Sequence, residues 1–229
     1  MSTIAPSKKY LFRVLKIFLG QHNNTNIGID LASENFKNSR YFKTKKYIGV
    51  DIILKEILYG LNNFHLIKSY GILWDFTKKN RLGNSFADVV VSTNTLSHIK
   101  SSKKKINAVK NFIEFTSNNG SILIQTEVDD ITTHEIIKLF YKNFKNVKIS
   151  YYHNFFSRIF LTIFVGQLTK NRLAIFLNKI KLNYLISLTE NLTSNLKFFN
   201  KKIIIIGDKK NKFQKKLIKF KFKRLNKFL

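Results

Sequence analysis

Three aspartates stand at the carboxyl ends of successive apolar runs: Asp30 after Ile27-Gly28-Ile29, Asp51 after Tyr47-Ile48-Gly49-Val50, and Asp75 after Ile72-Leu73-Trp74. A carboxylate can accept two hydrogen bonds from a vicinal diol. Asp51 follows Asp30 at about the spacing at which a nucleoside-binding unit places the acid that grips ribose hydroxyls. In open α/β sheets ligands bind outside the carboxyl ends of the strands, near the point where strand order reverses. Acids also end strands because the loops beyond are wet, and for one Asp that reading would suffice; three in order favour a site. His98 is the weak candidate for a catalytic base, since imidazole titrates near neutral pH, with packing at the start of a helix as its other reading. His134 and His153 lack partners at ligand spacing and read as surface or packing residues. With Cys at 0, no disulfide, zinc ribbon, iron–sulfur centre or cysteine nucleophile can form; a metal site would have to come from His and carboxylates, and none is expected. Neither a nucleophile elbow nor a phosphate-cradling Gly-rich loop occurs, which removes hydrolase, kinase and NTPase chemistry.

The elements that must position these acids alternate. Strands are expected at Ile27–Leu31, Tyr47–Ile52, Ile72–Asp75, Ala87–Ser92, Ser121–Gln125, Val147–Tyr151 and Lys202–Gly207. The β-branched Ala87–Ser92 run has the continuous apolar character of a central parallel strand covered on both faces. Helices are expected over Leu54–Leu61, from a cap at Ser102 through Ile106, Val109, Phe112 and Ile113, and over His134–Phe144. Asn119-Gly120 ends the second of these. Strands alternating with helical segments call for right-handed crossovers and a doubly wound, mostly parallel α/β sheet. Residues 155–199 carry Leu, Ile and Phe at helical spacing without a strand pattern and read as a helical insertion before the last strand, in a position to form a cap or lid. Residues 1–25 hold an amphipathic helix, with Leu11, Val14, Leu15, Phe18 and Leu19 on one face. Its uses are packing on the domain or docking on a membrane surface. Arg13 and Lys16 spoil it as a signal-peptide core.

The ordered segments Ile27-Gly28-Ile29-Asp30-Leu31-Ala32-Ser33, Tyr47 to Ile52, Trp74-Asp75-Phe76 with Asn84 to Ser92, Leu96-Ser97-His98-Ile99 and Asn119 to Ile124 resemble the motifs of class I S-adenosylmethionine-dependent methyltransferases. The likeness spans about half the chain and is nearest to small-molecule and glycan-type members. It implies a Rossmann-like methyltransferase domain over 26–208, S-adenosylmethionine as cofactor, and cofactor-binding positions at Asp30, Ala32, Asp51, Ile52, Asp75, Phe76 and Asn94. By that resemblance Asp51 would take the ribose hydroxyls, Asp75 and Phe76 the adenine, and Asp30 the methionine part, with Ser92 to Asn94 lining the floor below the sulfonium. The acceptor would be a small molecule, sugar or surface-glycan precursor. Where the family carries glycines after the first acid, this chain has Ala32, Glu34 and Phe36. Either the loop takes another path or cofactor binding is weak or lost.

Charge supplies a second reading. Lys+Arg 41 against Asp+Glu 13 leaves +28. Such a balance holds a protein against nucleic acid or anionic lipid, although the richness in Lys, Asn, Ile and Phe and the scarcity of Pro also match A- and T-rich codons. The basic tail, 209–229, concentrates lysines free of any acid. It offers the alternative of a catalytically inactive methyltransferase-like protein docking through that tail to RNA or an anionic membrane. No stretch reaches the roughly 20 apolar residues of a membrane span, so a cytoplasmic location is expected.

Overall fold

The apolar runs pair into one sheet because their alternate side chains can be buried on two faces at once. The computed structural model of the chain describes residues 6–64, 68–80, 82–164 and 182–210. Among these, β1 (Ile27–Leu31), β2 (Lys46–Asp51), β3 (Lys68–Leu73), β4 (Ala87–Ser92), β5 (Thr116–Glu127), β6 (Phe144–Asn154) and β7 (Asn200–Lys210) form a seven-stranded sheet in the order β3-β2-β1-β4-β5-β7-β6. The first five run parallel to their neighbours, and β7 enters antiparallel between β5 and β6. Strand order reverses between β1 and β4, so a crevice opens at the carboxyl ends of these two strands.

Period-two alternation sorts the side chains. Ile29, Leu31, Val90, Ile122, Ile124, Ile203 and Ile205 face α3 (Ser102–Phe115) and α4 (Asp130–Asn143), which bury Val109, Phe112, Ile136 and Phe140 against them. The alternate residues Val89, Val91, Leu123 and Ile204 meet α1 (Pro6–Gly20) and α2 (Leu54–Asn63) on the other face. α1 buries Tyr10, Leu11, Leu15, Phe18 and Leu19 there, so its apolar stripe is spent on the domain itself. Of the two basic residues inside its apolar run, Arg13 and Lys16, the first is bound to Asn191 (Nη2 to Oδ1, 2.7 Å). Asn191 lies on α6 (Leu182–Leu192), which with α5 (Phe155–Phe164) follows β6.

Several expectations shift. The helix-length stretch between β1 and β2 holds only a 3-10 turn at Lys37–Tyr41, and none of the described residues between β3 and β4 is helical. The third strand lies at Lys68–Leu73 rather than Ile72–Asp75, and Asp75 falls beyond it. Ser101, one residue earlier than expected, caps α3 by accepting the Lys104 N–H at 3.4 Å. β5, β6 and β7 run longer than their apolar cores: β6 and β7 stay paired through polar residues from Phe144–Lys210 to Asn154–Asn200, and β5 reaches back to Thr116 opposite Ala87. Residues 165–181 of the expected insertion and 211–229 of the basic tail lie outside the described residues.

Candidate functional site

The three acids gather at the carboxyl edge in different states. Asp51 ends β2 and is 5% exposed. Its Oδ1 accepts the Ile53 N–H at 3.0 Å and its Oδ2 the Glu34 N–H at 2.9 Å, which leaves each oxygen one further lone pair for a ligand hydroxyl. The Asp51 carbonyl also takes the Trp74 N–H at 2.9 Å, bringing the segment after β3 alongside. There Asp75 is turned onto its own loop, its Oδ1 accepting both the Thr77 hydroxyl (2.7 Å) and N–H (3.0 Å). Partial burial raises the Asp75 carboxyl, but those bonds and Lys78, 3.9 Å away, outweigh it and hold the group below its usual range. Asp30 is 1% exposed within β1; the Tyr47 hydroxyl donates to its Oδ2 at 2.9 Å and Asn38 to its Oδ1 at 3.4 Å. Burial pushes its pKa up to about 7, with Asp51 and Glu34 adding to the rise and the two hydrogen bonds opposing it.

The loop after β1 explains how Ala32, Glu34 and Phe36 stand where glycines were expected. All three adopt left-handed backbone, with φ of 57°, 44° and 61°. This is the conformation glycine would supply freely, and it costs an L-residue roughly 1–2 kcal/mol. The loop is held in it from outside. Phe36 is fully buried and seats its ring on Gly49 of β2 and Gly60 of α2, where a Cβ at either glycine would overlap the ring. It also packs edge-on against Tyr47 with centroids 5.2 Å apart. Two glycines far along the chain therefore make room for Phe36, while the Glu34 side chain stays exposed and pairs with Lys37 at 3.4 Å. Glu34 thus leaves the crevice side to its backbone, whose N–H sits on Asp51.

The floor is built from β4 and β5. Asn94 is left-handed at φ 57°, and its N–H donates to Gln125 Oε1 at 2.6 Å. Asn38 bridges Asp30 to the Thr93 hydroxyl at 3.3 Å. Asp88, at the opposite end of β4, accepts the Asn26 and Ile27 N–H groups at 2.7 and 3.0 Å and pins the start of β1. Of the remaining expected positions, Ile52 is 63% exposed beside Asp51, whereas Phe76 is buried and packs against Phe112 of α3 at 5.2 Å. His98 is exposed on the 3-10 turn Leu96–His98. Asn35, Asn38, Tyr47 and Gln125 join the site without having been singled out from sequence; a polar residue inside the apolar run Ile122-Leu123-Ile124-Gln125 was the available signal for the last.

Whether S-adenosylmethionine suits these residues can be tested on their unmet bonding. Asn35 Oδ1, Ser92 Oγ and Gln125 Nε2 are buried and lack hydrogen-bond partners, a costly state that native interiors mostly avoid. They belong to the segments at the carboxyl ends of β1, β4 and β5, beside two buried acids, and supply donors and acceptors to a polar, cationic nucleoside. The residues fit the group. Among the described residues no cluster of His, Asp and Glu could hold a metal ion, and no helix is long and apolar enough to cross a membrane.

No protein-family model matches the sequence, and no curated protein matches it. Solved structures do. The N-methyltransferase NodS from Bradyrhizobium japonicum, in complex with S-adenosylhomocysteine, aligns with TM-score 0.53 at 11% identity over 63% of this chain and 79% of its own. Phosphoethanolamine N-methyltransferase 2 from Haemonchus contortus, in complex with S-adenosylmethionine, gives 0.52 at 13% identity over 85% of this chain and 52% of its own, about half its length. The YcgJ protein from Bacillus subtilis gives 0.54 at 9% identity over 88% of this chain and all of its own. At such identities the likeness establishes the fold, and the fold is that of the class I S-adenosylmethionine-dependent methyltransferases. The crevice between β1 and β4 is the place that fold reserves for a ligand.

Proposed function

We propose that the chain is an S-adenosylmethionine-dependent methyltransferase whose acceptor is a small molecule, sugar or surface-glycan precursor held beside the helices between Phe155 and Phe199. One observation carries this reading. The loop Ala32 to Phe36, left-handed at three positions, sets the Glu34 N–H on Asp51 at the end of β2, which fixes that buried carboxylate and leaves it lone pairs for the hydroxyls of a nucleoside.

When bound, the cofactor supplies a methyl group on a positively charged sulfur, open to in-line displacement by the acceptor. The chain's own part is positioning and electrostatics. Asp51 would hold the ribose hydroxyls with its two unused lone pairs, and Ile52 and Asp75 would border the base. Asp30, fixed by Tyr47 and Asn38, would orient the methionine part, with Ala32 against it. Ser92 to Asn94, braced by Gln125, would line the floor. His98 would accept a proton only for an acceptor that reaches the exposed turn after β4.

Calorimetric titration with S-adenosylmethionine and with S-adenosylhomocysteine, with Asp51→Ala as control, tests the reading. Heat from both ligands that the Asp51 change abolishes is expected. No heat together with no thermal shift would refute it.

A further inference from the structure

The last residue pair of the β6–β7 hairpin is Asn154 with Asn200. Phe155 and Phe156 follow the first of these in sequence, and Phe198 and Phe199 precede the second, so four phenylalanines crowd one end of the hairpin. All are exposed, Phe198 at 97% and the others at 52–58%. Each pair stacks edge-on within itself, with centroids 6.1 and 6.2 Å apart. Water-exposed phenylalanines gathered in this way mark an interaction surface.

The rings are presented by a rigid base. Asn154 Nδ2 donates to the Thr189 and Thr193 hydroxyls at 2.9 and 3.2 Å, and Asn200 Nδ2 donates to the Thr193 and Leu196 carbonyls at 2.7 and 2.8 Å. Glu190, fully buried, accepts the His153 N–H at 2.8 Å, the Asn154 N–H at 3.2 Å and the Ser157 hydroxyl. The same knot removes the acid nearest the rings from the surface. Glu127 lies across from Lys202 in the β5–β7 register, and Asp129 caps α4. Glu127 stays exposed on that edge, but the side chains next to the rings in sequence are basic: Lys197 and Lys201 are exposed, and the Arg158 guanidinium lies 5.9 Å from the Phe155 centroid.

We propose that this end of the hairpin docks on an anionic lipid bilayer. Phenylalanines flanked by lysine and arginine partition into the boundary between headgroups and acyl chains while the cations meet lipid phosphates. The +28 balance of the whole chain favours an anionic partner. A single-stranded nucleic acid would also stack on aromatic rings. The neighbouring Leu192, 82% exposed, and Leu196 offer nothing to a base but add to burial in hydrocarbon. Because β6 runs parallel to β5, the hairpin end lies on the carboxyl edge of the sheet with Asp30 and Asp51. A bilayer docked there would put lipid-borne acceptors at the site. That consequence rests on the methyltransferase reading, whereas the docking does not.

The test is cosedimentation of the full chain, without cofactor, with vesicles of phosphatidylcholine alone and of phosphatidylcholine with phosphatidylglycerol. Wild type should sediment with the anionic vesicles and release as salt rises. Phe198→Ser with Phe199→Ser should weaken binding about tenfold per ring, with unchanged circular dichroism, melting temperature and S-adenosylhomocysteine titration. The proposal is overturned by no sedimentation of wild type, by equal sedimentation of wild type and variant, by a lowered melting temperature that shows the rings packed by the chain itself, or by a wild-type dimer that the variant dissociates. Preference for an RNA homopolymer over anionic vesicles in competition would assign the surface to nucleic acid instead. A failed vesicle assay leaves the calorimetric test of the cofactor intact, and the reverse also holds.

Discussion

Asp30→Asn probes the electrostatics of the crevice directly. Asp30 is 1% exposed and its pKa is raised from 3.8 to about 7, chiefly by burial. Between those pH values the folded protein keeps the proton that the unfolded chain has already released, so stability from this group is complete below pH 3.8 and is lost as pH rises to about 7. The loss is about 1.4 kcal/mol per pH unit inside that window and about 4 kcal/mol across it. Asparagine keeps an acceptor for the Tyr47 hydroxyl and cannot ionise. Urea unfolding of both proteins at pH 5 and pH 8, at fixed ionic strength, should therefore show the variant gaining about 3 kcal/mol relative to wild type between the two. The contributions of Glu190, raised by burial, and of His153, lowered by burial to about 4, cancel in the difference between the two proteins. Parallel stability curves would refute the argument, because they would mean that Asp30 ionises in the fold as easily as in the open chain.

Phe36→Ala should cost about 3–5 kcal/mol by emptying the space over Gly49 and Gly60, and Gly49→Ala about 1–3 kcal/mol by driving a methyl into that ring; denaturant midpoints read both. Glu34→Gly should stabilise by about 0.5–1 kcal/mol, since the left-handed strain outweighs the added freedom of the unfolded chain and the exposed pair with Lys37 is worth little. A lower melting temperature would show that the side chain does more than tolerate its place. Glu190→Ala strips partners from the His153 and Asn154 amides and the Ser157 hydroxyl, and should cost about 3 kcal/mol. Hydrogen exchange should then accelerate first where α5 and α6 meet β6, and uniform protection would contradict that clamp.

The α/β class, the strands β1, β2 and β4 and the places of Asp30 and Asp51 on the first two were readable because side-chain periodicity is a local property, written in neighbouring residues, whereas β3 lies earlier than its apolar run suggested and leaves Asp75 beyond its end. The helices α1, α3 and α4 were readable for the same reason. Other features depend on partners remote in sequence. Nothing near Phe36 announces that Gly49 and Gly60 clear space for its ring, yet that burial is what bends Ala32, Glu34 and Phe36 into the backbone that glycines would otherwise provide. The antiparallel entry of β7 between β5 and β6 follows from pairing with two strands distant in sequence. Phe76 and Asp75, adjacent in sequence, part company because the ring is taken up by α3 while the carboxylate turns back onto Thr77. The sequence by itself determined which residues carry charge and which runs become strands. The tertiary structure decided which acid is buried, which loop is strained and which phenylalanines meet water, because burial and backbone strain are set by neighbours that only the completed fold brings together.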